Sequence, residues 1–112
     1  DSEKKLMLTE AHEPRVWMNQ LMNDSEFKKS VRNRWNAVRD KVQSIPAYVD
    51  AKAAQIKYSQ IPNFQRWDVL GVNINQSWYT GETYQDYVDF IRNYLTVRIA
   101  WLDGVINGEQ FD

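Results

Sequence analysis

"SEFKKSVRNRWNAVRDKVQ", residues 25–43, decides the fold class. Phe27, Val31, Trp35, Val38 and Val42 step by 4, 4, 3 and 4 residues, which lines apolar side chains along one face of an α-helix. Just before it, Asn23-Asp24-Ser25 breaks the preceding segment and caps this one. Further upstream, Glu13-Pro14 predicts a helix start, because Pro is tolerated in a first turn. Trp17 and Leu21, backed by Met18 and Met22, give that helix an apolar face, and residues 1–12 read as a polar lead-in. Downstream, Ser44-Ile45-Pro46 restarts the chain with Ser44 as the cap. The third helix runs to about Gln60 with Val49, Ala53 and Ile56 inward, and Ala51, Ala53 and Ala54 admit a close neighbour. Pro62 is expected to end it.

Between residues 61 and 81 the periodicity weakens. "NFQRWDVLG" (63–71) predicts a short helix with Phe64 and Trp67 turned inward, and "VNINQSWY" (72–79) reads as an ordered loop. Thr83 with Asp86 three residues on predicts a capping box with Asp in the place of Glu. A long helix over 83–106 follows, with Tyr84, Tyr87, Val88, Ile91, Leu95, Leu102 and Ile106 as its inner face. Phe90, Tyr94, Val97 and Trp101 widen the apolar surface, and Gly104, Asn107 and Gly108 are expected to end the helix. The expected architecture is all-α: an antiparallel array of about four helices with one longer ordered loop, forming a single helical domain over 1–112.

Composition narrows the function. Of 112 residues, 26% are charged and 13% aromatic, a globular balance too rich in rings for disorder. A net charge of −1 argues against a dedicated nucleic-acid partner, which needs a cationic face. Cys is absent, which removes disulfides, thiolate nucleophiles and Cys-ligated zinc. No apolar stretch approaches the roughly 18 residues of a membrane span, and no membrane partner is expected.

The chemistry-bearing residues are few. His12 is the one His and lies in the lead-in, so no His-based metal site or Ser-His-Asp arrangement is expected. Gly71, Gly81, Gly104 and Gly108 form no phosphate-cradling loop. Glu82, Asp86 and Asp89 could be imagined as a carboxylate cluster, but they fall in the first turns of the last helix, where acids complement the macrodipole. Lys28, Lys29, Arg32, Arg34, Arg39 and Lys41 make the second helix basic, while 82–112 is acidic; pairing between helices, or a solvated face, is the reading. Arg and Trp recur together at Arg15–Trp17, Arg34–Trp35, Arg66–Trp67 and Arg98–Trp101. Core spacing favours packing over a stacking platform, so Trp35, Trp67 and Trp101 are expected to be largely buried with Arg98 supporting them. Trp78 and Tyr79 remain as candidates for a surface contact. No catalytic, cofactor-binding or metal-binding residue is assigned.

Three pieces, in order, resemble the C-terminal part of the spore-coat-protein-H (CotH) family of atypical protein kinases. They are "WMNQLMNDSEFKKSVRNRWNAVRDKV" (17–42), "NFQRW" (63–67) and "TYQDYVDFIRNYLTVRIAWLD" (83–103), with Arg98-x-x-Trp101-Leu102-Asp103 the most specific. The resemblance implies a parent that transfers the γ-phosphate of ATP, with Mg, to Ser on coat or surface proteins. The family's nucleotide-binding Lys and metal-binding Asp residues lie N-terminal to the matched region, so no catalytic role carries over to this chain. It further implies the remaining kinase lobe and a protein substrate as partners and an extracellular, cell-surface or spore-coat location in bacteria; the last helix, apolar on more faces than a small bundle covers, predicts self-association. A stand-alone helical protein–protein interaction module is the alternative.

Overall fold

The structure, a computed structural model, describes residues 15–74 and 79–111. His12 and Trp78 therefore lie outside the described residues. The helices are α1 (Arg15–Leu21), α2 (Ser25–Gln43), α3 (Ile45–Gln55), α4 (Gln60–Arg66) and α5 (Tyr84–Ile106), followed by a 3₁₀ turn at Glu109–Phe111. Among the described residues there is no strand, and the fold class is all-α. The described residues form two compact units, one of residues 15–43 with 96–111 and one of residues 44–74 with 79–95.

In the first unit, Asp24 caps α2 as its position predicts: its Oδ1 accepts the Phe27 N–H at 2.7 Å. Met22, Ile106 and Phe111 are buried, and Phe27, Val31, Trp35, Leu102 and Val105 pack on them. The expected Trp17/Leu21 face of α1 does not pack; Trp17 is 71% exposed and Leu21 is exposed as well. Met18 and Met22 form the neighbouring i, i+4 row, and Met22 takes the core position instead. Partners between α2 and the end of α5 run in opposite order along the sequence. Arg32 reaches the Ile106 and Gly108 carbonyls, Asn36 reaches Asn107, and Arg39 reaches Asp103. The two segments are therefore antiparallel, as expected.

In the second unit, α3 stops at Gln55, short of the expected Gln60, and a turn over 56–59 leads into α4. Ser44 makes no side-chain cap bond to α3. Pro62 does not end a helix; it sits in the first turn of α4. There the missing N–H costs nothing, because first-turn amides have no intrahelical acceptor. Phe64 packs near Tyr84 with ring centroids 6.4 Å apart, but Trp67 is 58% exposed and Ile56 is exposed, against expectation. Both stand at helix ends, Ile56 as the C-cap of α3 and Trp67 as the C-cap of α4. Periodicity has no hold on a side chain once the helix stops. The Gly71 N–H donates to the Gly81 carbonyl at 2.8 Å, and Gly71 has φ of 74°, a conformation that favours glycine. The Tyr84 hydroxyl donates to the Ala53 carbonyl at 3.1 Å, the close approach that the Ala-rich stretch admits.

The capping box of α5 is reciprocal. The Thr83 N–H donates to Asp86 Oδ2 at 2.8 Å, and the Asp86 N–H donates to Thr83 Oγ1 at 3.1 Å. Gly104 does not stop α5, which continues to Ile106. Val88, Ile99 and Ile106 are its buried apolar residues, whereas Ile91, assigned inward, is exposed. Ile99 belongs to the inner face and was not assigned to it.

Candidate functional site: an arginine–tryptophan–aspartate anchor

Where α2 meets the last turns of α5, the residues of Arg98-x-x-Trp101-Leu102-Asp103 take distinct roles. Asp103 accepts the Trp35 indole N–H at 2.7 Å, a short bond from the Arg39 guanidinium, and the Asn107 amide at 3.0 Å. The Trp35 bond holds the Asp103 carboxyl below its ordinary value, and the Arg39 and Asn107 donors add to this against the opposing effect of burial. A carboxylate engaged by three donors at once is held as an anchor between the segments. Arg98 is 8% exposed and lies over the Trp101 ring at 4.7 Å, as the sequence predicts. Trp35 and Trp101 are half-buried rather than largely buried.

The sequence marks Arg32 only as part of the basic face of α2 and does not mark Phe111. Arg32 donates to the Ile106 carbonyl at 2.8 Å and the Gly108 carbonyl at 3.2 Å, tying off the C-terminus of α5. Its guanidinium also lies 5.5 Å from the centre of the Phe111 ring. The one signal for Phe111 is an apolar residue shortly after Gly108 in a polar tail, the hydrophobic contact that often follows a helix C-terminus. Arg32 and Arg39 therefore meet α5, which favours helix pairing for the basic face of α2, while Lys29 pairs with Glu26 on its own helix.

The other candidates also resolve into packing. Tyr79 does not project as a surface contact. It stacks on Phe90 at 4.3 Å with planes 4° apart and meets the Tyr87 edge at 5.6 Å. Burial, then the Asp86 charge, raises its hydroxyl above the ordinary tyrosine value. Asp86 is spent on the cap, and Asp89 accepts from Gln85 and pairs with Arg92. A Glu82 carboxylate oxygen lies 2.9 Å from where a side chain at Gly71 would begin. Among the described residues, no three His, Cys, Asp or Glu side chains are grouped to hold a metal ion. Within the second unit, Ala53, Leu70, Val88, Lys57, Glu82 and Thr83 are among the residues lining a cleft of about 670 Å³. No helix of the described residues is long and apolar enough to cross a membrane.

The fold and the anchor define an all-α protein whose most distinctive residues fasten helices together. The chain belongs to the CotH kinase protein family: the family model of that description matches residues 1–102. No curated protein and no solved structure matches the chain.

Proposed function

We propose that this chain is the non-catalytic helical lobe of a CotH-type protein kinase, a C-terminal lobe that braces the catalytic part and helps to dock a protein substrate. The observation that carries this reading is the engagement of Asp103, Arg98 and Trp101. Asp103 is consumed in fastening α2 to α5, and Arg98 is packed over Trp101 within α5, which suits a supporting lobe. On this reading ATP and Mg²⁺ are bound by residues of the parent outside this chain, which acts on Ser of coat or surface proteins outside the cell. Titration calorimetry tests it. Residues 1–112 alone take up no ATP·Mg²⁺ at micromolar concentration, while the polypeptide joining them to a lobe with the nucleotide-binding Lys and metal-binding Asp residues binds it and phosphorylates Ser. Micromolar binding by residues 1–112 overturns the assignment.

The exposed row of Phe90, Ile91 and Tyr94 on α5 favours a second reading, a helical protein–protein interaction module. A partner that binds residues 1–112 equally well with and without any kinase lobe would select it.

A further inference from the structure

The cleft of about 670 Å³ lies wholly within the second unit, lined by α3, the turn after it, Leu70 and the start of α5. Ala53, Ala54, Leu70 and the buried Val88 form its apolar lining. The Tyr84 hydroxyl, bonded to the Ala53 carbonyl at 3.1 Å, ties α3 to α5 there. Lys57 and Glu82 both line the cleft, and among the described residues neither stands in an ion pair. Asp50, the third charge in the lining, is occupied by Arg92 at 3.2 Å. One cation and one anion thus share a cleft without meeting each other. Each is placed by local contacts that leave its charge unneutralised. The Glu82 carboxylate lies against Gly71, where a side chain would begin 2.9 Å from it and push it aside. Gln60 donates to the Lys57 carbonyl at 3.1 Å, and the Lys57 ammonium lies 4.8 Å from the centre of the Tyr58 ring.

We propose that this cleft binds an extended peptide segment with one acidic and one basic side chain, the acid against Lys57 and the base against Glu82. A ligand of one sign would meet a like charge beside the unlike one, and like-charge contact is costly. A ligand bearing both signs meets two attractions. The rim decides between a chain and a small molecule. Ala54, Lys57, Glu82, Thr83 and Gln85 are exposed, whereas a small-molecule site buries about 70–90% of its ligand. A peptide can cross such an open cleft and leave it at both ends. Thr83, Gln60 and Gln85 supply hydroxyl and amide groups to the lining, which suit main-chain N–H and C=O groups. The inference gives a place to the substrate docking proposed above and rests on that reading for its purpose, not for the binding itself.

Nuclear magnetic resonance of the isotope-labelled chain tests it. The probes are the capped pentapeptides Ala-Glu-Ala-Lys-Ala and Ala-Lys-Ala-Glu-Ala, and both again with Gln for Glu, for Lys or for both. Residues two apart on an extended chain point to the same side, so each probe offers both charges to one cleft. At millimolar concentration one of the two orders should bind better and shift the amide signals of Ala54, Lys57, Leu70, Glu82 and Val88. Each Gln in that peptide should weaken binding by about two- to fivefold, the worth of an exposed ion pair. Lys57→Gln should weaken binding as much, but should not affect the peptide that already lacks Glu. The double variant Lys57→Glu with Glu82→Lys should invert the preference between the two orders. Both side chains are exposed, so circular dichroism should stay unchanged. The proposal is overturned by the absence of cleft shifts, by equal binding of the Gln peptides, or by a preference that the double variant does not invert. Free glutamate and lysine giving the same shifts would also overturn it, since a chain would then not be the occupant. No step needs ATP or a kinase lobe. A chain that binds these peptides and also takes up ATP·Mg²⁺ would keep this site and lose the lobe assignment, and the converse result would do the reverse.

Discussion

Asp103 draws on both segments it joins, since Trp35 and Arg39 come from α2 and Asn107 follows it from the end of α5. Replacing Trp35 by Phe keeps an aromatic side chain but deletes the N–H donor together with the fused five-membered ring. A hydrogen bond to a charged group contributes about 1.5–3 kcal/mol, and partial solvent access at this site puts the cost near the low end. Urea unfolding of Trp35→Phe should therefore show a loss of at least about 1.5 kcal/mol, the smaller ring adding to the lost bond. The same carboxylate sets a pH dependence. Its value is depressed in the folded protein, so its contribution is fully present above the ordinary carboxylate value and is lost as pH falls through the depressed one. Thermal melts below about pH 4 should fall more steeply for the parent chain than for Asp103→Asn, which lacks this titration. Parallel acid limbs would mean that other carboxylates govern acid unfolding. The sequence placed Trp35 and Trp101 on packed faces and Arg98 beside Trp101. It could not pair Trp35 with Asp103, because spacing gives a face and not the partner on another helix.

Helix boundaries were legible wherever a local bond makes them. The Asp24 cap and the Thr83–Asp86 box involve residues three apart, and both stand where the sequence puts them. Stops were legible for α5, which ends at Ile106 as expected, and less so elsewhere. Pro62 and Gly104 were read as terminators from residue type, yet one opens a helix and the other lies inside one. Gly104 illustrates why: a side chain added there would meet nothing within 4 Å, so the glycine answers no steric need. Gly104→Ala should stabilise the protein by about 0.5–1 kcal/mol through helix propensity and a less flexible unfolded chain. Gly108 is its contrast. A Cβ there would stand 2.8 Å from the Gly104 carbonyl oxygen, a backbone atom that cannot swing away. Gly108→Ala should cost about 1–3 kcal/mol, read by the same denaturant titration. A destabilised Gly104→Ala would indicate that α5 needs flexibility at that turn.

At the scale of the whole molecule, the all-α class and the family followed from helical periodicity and the order of the elements. Which apolar faces stay open did not follow, because periodicity marks a face as apolar without saying what covers it. α5 carries apolar residues on more than its packed side. Phe90, Ile91 and Tyr94 stay exposed, although Phe90 is braced by Tyr79 on one side. Soluble monomers rarely leave large contiguous apolar patches uncovered, and such patches bind partners or one another. Residues 1–112 alone should therefore bind a hydrophobic dye at neutral pH with their helical signal intact, and should shift towards dimers in sedimentation velocity as concentration rises. Ile91→Lys together with Tyr94→Lys should weaken both effects while leaving the melting temperature nearly unchanged, since surface substitutions usually stay within about 0.5 kcal/mol. A chain that stays monomeric at high concentration and leaves the dye dark would remove this face of α5 as an interaction surface. The proposed supporting role would then rest on the anchor between α2 and the end of α5 alone.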